Sequence, residues 1–156
     1  MSGIEATHEE TKMTTNTAPI AEATAEMNLP SGVALSKQAD ATYVKGRREW
    51  MKYRELGVTK ASGGRIRAQV TSSSQSLSEP TGWHIHHCEG QFVYMLDGWL
   101  DLEFAGGTVV RLSAGDSLYI PGGTPHNEVQ TADAFQLVEI SVPADMGTEP
   151  CDPPAA

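Results

Sequence analysis

Three of the chain's five histidines lie in GWHIHHCEGQFVYMLDGWLDLEF, residues 82–104. If WHIH opens a β-strand, its side chains alternate across the strand. His84 and His86 then share one face, and Trp83 and Ile85 the other. Two imidazoles aimed into a protein interior are costly unless something satisfies them. A transition-metal ion does so, since imidazole suits Zn, Fe, Ni, Cu and Mn. A solvated pair on a surface strand accounts for the same dipeptide, so both readings stand at this point. His87 falls on the opposite face, toward the surface or a loop. His8, in a polar N-terminal stretch, reads as a solvated histidine.

The elements that must position these rings read as β. RIRAQV sets Arg65, Arg67 and Gln69 against Ile66, Ala68 and Val70, the period of a half-buried strand. QFVYML and WLDLEF meet at Asp97-Gly98, a strong hairpin signal. FAGGTVVRL, DSLYIPGGTPHNEVQ and AFQLVEISV continue the series. Short strands at close spacing, separated by Gly-rich turns, predict a sandwich or barrel. One short helix is expected at about Arg47 to Arg54, where apolar residues fit either period. From Gln91, the inward face of QFVYML carries Val93 and Met95, while Phe92, Tyr94 and Leu96 point outside.

The flanks read differently. Residues 1–40 are rich in Thr, Ala, Glu and Ser and contain no large aromatic residue. Such a segment buries too little surface to offset its ordering entropy, so it is expected to be disordered or to dock as an arm on a partner subunit. Residues 144–156, ADMGTEPCDPPAA, read as a second loose tail. The net charge is −9, which offers no basic patch for nucleic acid and is expected to serve solubility. No apolar run approaches the roughly 20 residues that span a bilayer, and the first residues lack a signal-peptide pattern. A cytoplasmic location is therefore expected. Two cysteines, Cys88 and Cys151, make no disulfide framework.

The stretch GDSLYIPGGTPHNEVQ places Gly115, Pro121, Gly123 and His126 at the spacing G-x5-P-x-G-x2-H. Here the chain resembles the cupin family, whose second motif continues x3-N; Gln130 stands at that last position. The family's first motif is G-x5-H-x-H-x(3,4)-E-x6-G. His84, His86 and Gly98 fall into its register, with Ser78 at the first Gly and Gln91 at the Glu. The resemblance covers about residues 60–142 and implies an all-β fold, a single cupin-type β-barrel of the jelly-roll kind. The barrel domain is drawn at residues 41–143, between the N-terminal segment 1–40 and the tail 144–156. The resemblance further implies one divalent transition metal per chain (Zn, Mn, Fe or Ni), with His84, His86, Gln91 and His126 as ligands. Glu89, three residues after His86, is the rival to Gln91.

A glutamine ligand leaves the site the full charge of a divalent ion, where glutamate would remove one unit. That strengthens Lewis acidity and favours anionic oxygen from a substrate, without easing oxidation of the metal. Non-redox chemistry beside a carbonyl is therefore expected: lyase, isomerase or cyclase. Cupins with a similar histidine and glutamine set include enzymes that open unsaturated uronate rings and some polyketide cyclases. Three-histidine cupins that act as Fe or Mn dioxygenases are the alternative, as is a binding or sensing barrel without catalysis.

Alternation from His126 puts Glu128 and Gln130 on the ligand's face. Glu128 is then a candidate general acid or base, or a carboxylate that orients a ligand histidine. Arg65 and Arg67 either reach the interior to pair with a substrate carboxylate or lie solvated on an edge strand. Tyr94 reads as packing rather than chemistry, and Tyr119 as a weak candidate for the pocket rim. Val and Met lining suggests a substrate with some apolar surface. Exposed strand edges and the family resemblance point to a homodimer.

Overall fold

The computed structural model describes residues 28–155. Eleven strands build two antiparallel sheets among the described residues. In chain order they are β1 (Val44–Lys45), β2 (Met51–Glu55), β3 (Arg67–Ser73), β4 (His84–His87), β5 (Gly90–Asp97) and β6 (Trp99–Phe104). Then follow β7 (Thr108–Ser113), β8 (Ser117–Pro121), β9 (His126–Thr131), β10 (Phe135–Val142) and β11 (Gly147–Pro150). One sheet runs β1-β2-β3-β10-β5-β8, the other β11-β4-β9-β6-β7.

The sequence periodicities become these strands with little shift. QFVYML and WLDLEF are β5 and β6, joined at Asp97-Gly98 as expected. Gly98 has φ 72°, and a Cβ there would press on the Ala134 carbonyl and Phe135, so both conformation and space require glycine. Gly122 is needed for a different reason. A Cβ on it would overlap the Cys88 carbonyl, where the turn before β5 crosses the loop before β9.

The two sheets close on Val93, Met95, Leu100, Leu102, Leu112, Ile120, Phe135 and Leu137, which form one buried cluster. This apolar plug fills one end of the sandwich. The other end stays open, and its wall on the six-stranded sheet is polar. Cross-strand register sets Arg67, Ser141 and Gln91 in one inward row, and Gln69, Glu139 and Val93 in the next. In RIRAQV the polar face thus turns in. Ala68 and Val70 face out, yet they are buried. Val70 pairs with Arg54, whose buried guanidinium donates to Ser36 and Gln38. Residues 36–38 therefore cover that outer face.

Several expectations are revised here. The segment expected as a helix at Arg47 to Arg54 is a turn leading into β2, because Met51 and Tyr53 alternate inward against β3. A four-residue helix, α1, forms instead at Val58–Ala61. The disorder expected of residues 1–40 falls outside the described residues for 1–27. Residues 28–40 are described and hold a buried arginine. Within the segment read as a loose tail, Gly147–Pro150 pair with β4 as strand β11. Its residues are exposed and show no apolar period, so only the open edge of β4 reveals the strand.

Candidate metal centre

The three motif histidines meet at the open end of the sandwich. His84 and His86 alternate inward from β4, and His126 opens β9 directly opposite His84. All three are buried. Their ring centroids stand 4.4 to 5.1 Å apart. One ligating nitrogen from each lies within 4.8 Å of the other two. Among the described residues this is the cluster of metal-ligating side chains that the fold assembles.

The other ring nitrogens explain the orientation. His84 Nδ1 meets the Gly82 carbonyl at 2.8 Å, and His126 Nδ1 meets the Thr124 carbonyl at 2.9 Å. A carbonyl only accepts, so both Nδ1 atoms carry the proton and both Nε2 atoms keep a free lone pair. His86 Nδ1 meets the Thr148 hydroxyl at 3.0 Å, a contact supplied by β11. His84 Nε2 is buried with no hydrogen-bond partner in the protein. Outward-facing partners on all three rings, two of them carbonyls that fix the tautomer, with ligating nitrogens converging inside, are what a metal-binding set requires. The residues therefore fit a divalent ion.

The protonation energetics agree with that fit. Burial, then the neighbouring His126 and His84 rings, push the His86 imidazole down to about 4. Burial likewise lowers His126. Neutral imidazoles are the ligating form.

Glu128 projects from β9 into the same space, its Oε2 3.8 Å from His84 Nε2. The Thr81 hydroxyl donates to that oxygen. Burial acts to raise the carboxyl, but His84, the Thr81 hydroxyl and His126 outweigh it and hold it below the ordinary carboxylate range. A carboxylate that orients a ligand histidine bonds the nitrogen away from the ion. His84 gives that nitrogen to Gly82, so Glu128 faces the ligating edge instead. Gln130, expected beside it, does not join. A bulge in the β6–β9 ladder pairs Leu102 with Glu128 but Asp101 with Gln130, which turns Gln130 to solvent and Thr131 inward.

A cavity of about 340 Å³ opens over the cluster, lined by His86, Gln91, Glu128, Glu139, Arg67 and side chains from both sheets. Gln91 is buried on β5 and faces this cavity, whereas Glu89 is exposed in the preceding turn and does not line it. Arg67 is inside, its Nη2 2.7 Å from Glu139 Oε1; Arg65 is exposed and donates to the Ser62 carbonyl. His87 points out to Glu149, at 2.6 Å. Tyr94 and Tyr119 stand exposed on the outer sheet face, so Tyr119 is not part of the cavity. Val93 and Met95 point inward but belong to the apolar plug. The cavity's apolar wall is Met51, Leu77, Leu100, Phe135, Leu137 and Met146.

Sequence reasoning missed Glu139, Thr148 and the arginines Arg47 and Arg48, all of which line the cavity. Glu139 had a signal, a lone carboxylate on the inward period of AFQLVEISV. Thr148 had none, since its partner is 62 residues away.

Comparisons with known proteins agree with this fold. The sequence matches the cupin domain family over residues 76–143. Among curated proteins none matches. The fold is similar to the polyketide cyclase RemF from Streptomyces resistomycificus, at 19% identity and TM-score 0.63, covering 77% of this chain and 86% of that one. It is similar to KdgF from Halomonas sp., at 16% identity and TM-score 0.55, over 71% of this chain and 94% of that one. Hydroxypropylphosphonic acid epoxidase from S. wedmorenis aligns at 15% identity and TM-score 0.60, over 73% and 61%. Two antiparallel sheets closing on three converging histidines, with both motif stretches on the strands that carry them, give residues 76–143 the form of the cupin domain that they match.

Proposed function

We propose that the protein is a metal-dependent enzyme performing non-redox chemistry, as a lyase, isomerase or cyclase, on an oxygen-rich anionic small molecule. The observation that carries this is the inward convergence of three imidazoles whose outer nitrogens are occupied. His84, His86, His126 and the carbonyl oxygen of Gln91 would hold the ion. A divalent ion bound there supplies Lewis acidity toward a carbonyl oxygen. Arg47 and Arg48 line the cavity, have no carboxylate partner among the described residues, and suit a substrate carboxylate. The apolar wall takes the rest of the substrate and excludes water. Glu128, held by Thr81 on the ligating side of His84, would take a proton and return it.

The neutral donor set supports non-redox chemistry over dioxygen chemistry, because anionic ligands are what stabilise a higher oxidation state. The test is a screen of unsaturated uronates, β-diketones, polyketide-like phenols and hydroxy acids against the Zn, Mn, Fe and Ni forms. Full anaerobic turnover with Zn is the expected result. Oxygen uptake stoichiometric with substrate would instead establish the Fe or Mn dioxygenase.

The working form is a cytoplasmic homodimer in this reading. Among the described residues no helix is long and apolar enough to cross a membrane. The outer face of the six-stranded sheet carries Ala68, Ile140, Phe92 and Tyr119 in one cross-strand row, with Val70, Val138 and Tyr94 beside it. Phe92, Tyr94 and Tyr119 are exposed there, which suits burial against a second copy.

A further inference from the structure

The cavity holds a second carboxylate for which the chemistry above has no use. Glu139 points inward from β10. Its Oε1 receives Arg67 Nη2 at 2.7 Å and Gln69 Nε2 at 3.3 Å, and its Oε2 receives Gln91 Nε2 at 3.0 Å. A carboxylate paired with a guanidinium offers acceptors only. The end of the Gln91 amide that faces it must therefore be the NH2 group, whichever way the amide is drawn. The carbonyl oxygen is left at the other end. That Oε1 is buried with no partner in the protein, as is His84 Nε2 in the same interior.

We propose that Glu139 is a positioning residue: it holds the Gln91 amide so that Oε1, not Nε2, is presented to the three imidazoles. The inference rests on the metal reading above. An amide nitrogen has no lone pair to offer an ion, so a flipped Gln91 is no ligand. The same contact accounts for the departure from the family motif. A glutamate at position 91 would set two carboxylates against each other in a buried site, where like charges cannot both ionise readily. Glu139 and Gln91 are thus one unit: a carboxylate set back from the ion and an amide in front of it. Arg67 neutralises the carboxylate.

The test measures metal affinity directly, by titrating the metal-free protein with Zn(II) against a competing chelator and by the visible spectrum of the Co(II) form. In Glu139→Gln the new side chain still accepts from Arg67, so its NH2 end faces Gln91 and draws the Gln91 carbonyl toward itself. Affinity should fall about 10- to 100-fold, the usual scale for losing the support of a metal ligand. The Co(II) spectrum should change as a protein ligand is lost. The double variant Glu139→Gln/Gln91→Glu restores a donor facing an acceptor and leaves a carboxylate oxygen free for the ion. Its affinity should return to at least that of the wild type, a rescue that a merely structural role for Glu139 does not give. Wild-type affinity in Glu139→Gln, or no rescue in the double variant, overturns the proposal. Ser141→Ala should bind as wild type; a loss there would assign the Gln91 carbonyl to the Ser141 hydroxyl and overturn it too. Should Glu139→Gln fail to fold, Glu139→Asp withdraws the carboxylate from Gln91 while keeping its charge, and unchanged affinity in that variant also overturns it. Wild-type protein that binds neither Zn nor Co overturns the metal centre itself, a failure visible before any variant is made.

Discussion

The cavity's two walls carry one buried or half-buried carboxylate each, and the walls use them differently. Glu128, on the five-stranded sheet, has a hydroxyl and the edge of His84 for company but no cation of its own. Glu139, on the six-stranded sheet, is bound by Arg67, Gln69 and Gln91 together. A carboxylate saturated by donors is fixed in place and poorly suited to move a proton. One with a single donor, facing the ligating nitrogens, is free to do so. Environment rather than residue type separates the two roles proposed for them.

The largest way to break this comparison is to remove what both carboxylates are arranged around. His84→Ala or His126→Ala should lose most of the bound metal by elemental analysis, because each removes one of few protein ligands. If metal content and the metal-induced rise in melting temperature survive both changes, the centre is elsewhere.

Glu128→Gln should keep the metal yet lower kcat by about 10²- to 10⁴-fold, the usual contribution of a positioned acid or base. If metal content falls in step with rate, Glu128 supports the ligands and the contrast between the walls collapses. Arg67→Met should act on the other wall. It leaves the Glu139 carboxylate with only the Gln69 and Gln91 amides, at a cost of about 1.5–3 kcal/mol for a lost hydrogen bond to a charged group. Thermal melting of the metal-free form measures this, and no change in melting temperature would show that Glu139 needs no cation.

The histidine wall should also be the acid-sensitive one. Burial, then the neighbouring His126 and His84 rings, push the His86 imidazole down to about 4 in the folded, metal-free protein, against 6.5 ordinarily. The unfolded chain then binds more protons between those values, so stability present above pH 6.5 is lost as pH falls toward 4. The metal-free melting temperature should drop across that window, and His86→Asn should flatten the drop. A flat wild-type profile would contradict it. The smallest effect belongs to His87, one residue away. It is exposed and paired only with Glu149, so His87→Ala should leave metal content unchanged and cost at most about 1 kcal/mol. On the outer sheet face, Phe92→Asp should shift light scattering from a dimer toward the 16.7 kDa chain without altering metal content; a wild type already at that mass would contradict the homodimer.

Much of the fold was legible because its signals are local. Alternation and the Asp97-Gly98 turn place β5 and β6 within a residue or so, and two spaced motifs name the three histidines. The helix expected at Arg47 to Arg54 failed because its apolar spacing suits two periods, and only pairing with β3 decides between them. RIRAQV announced a strand but not which face turns inward. Its polar face lines the cavity because residues 36–38 cover the apolar one, and nothing within the strand records that cover.

By itself, then, the sequence determined the strand periods, the turn positions and the histidine set, all of which depend on neighbours a few residues apart. The tertiary structure decided three matters of long-range pairing. It set β11 against β4, so that Thr148 holds His86 from 62 residues away. It placed a bulge in the β6–β9 ladder, which keeps Glu128 in the cavity and turns Gln130 out. It laid β10 between β3 and β5, bringing Arg67, Glu139 and Gln91 into one row of contacts. Side-chain direction follows from local period, but which side chains meet follows from strand order and register, and these are set only when the sheets close.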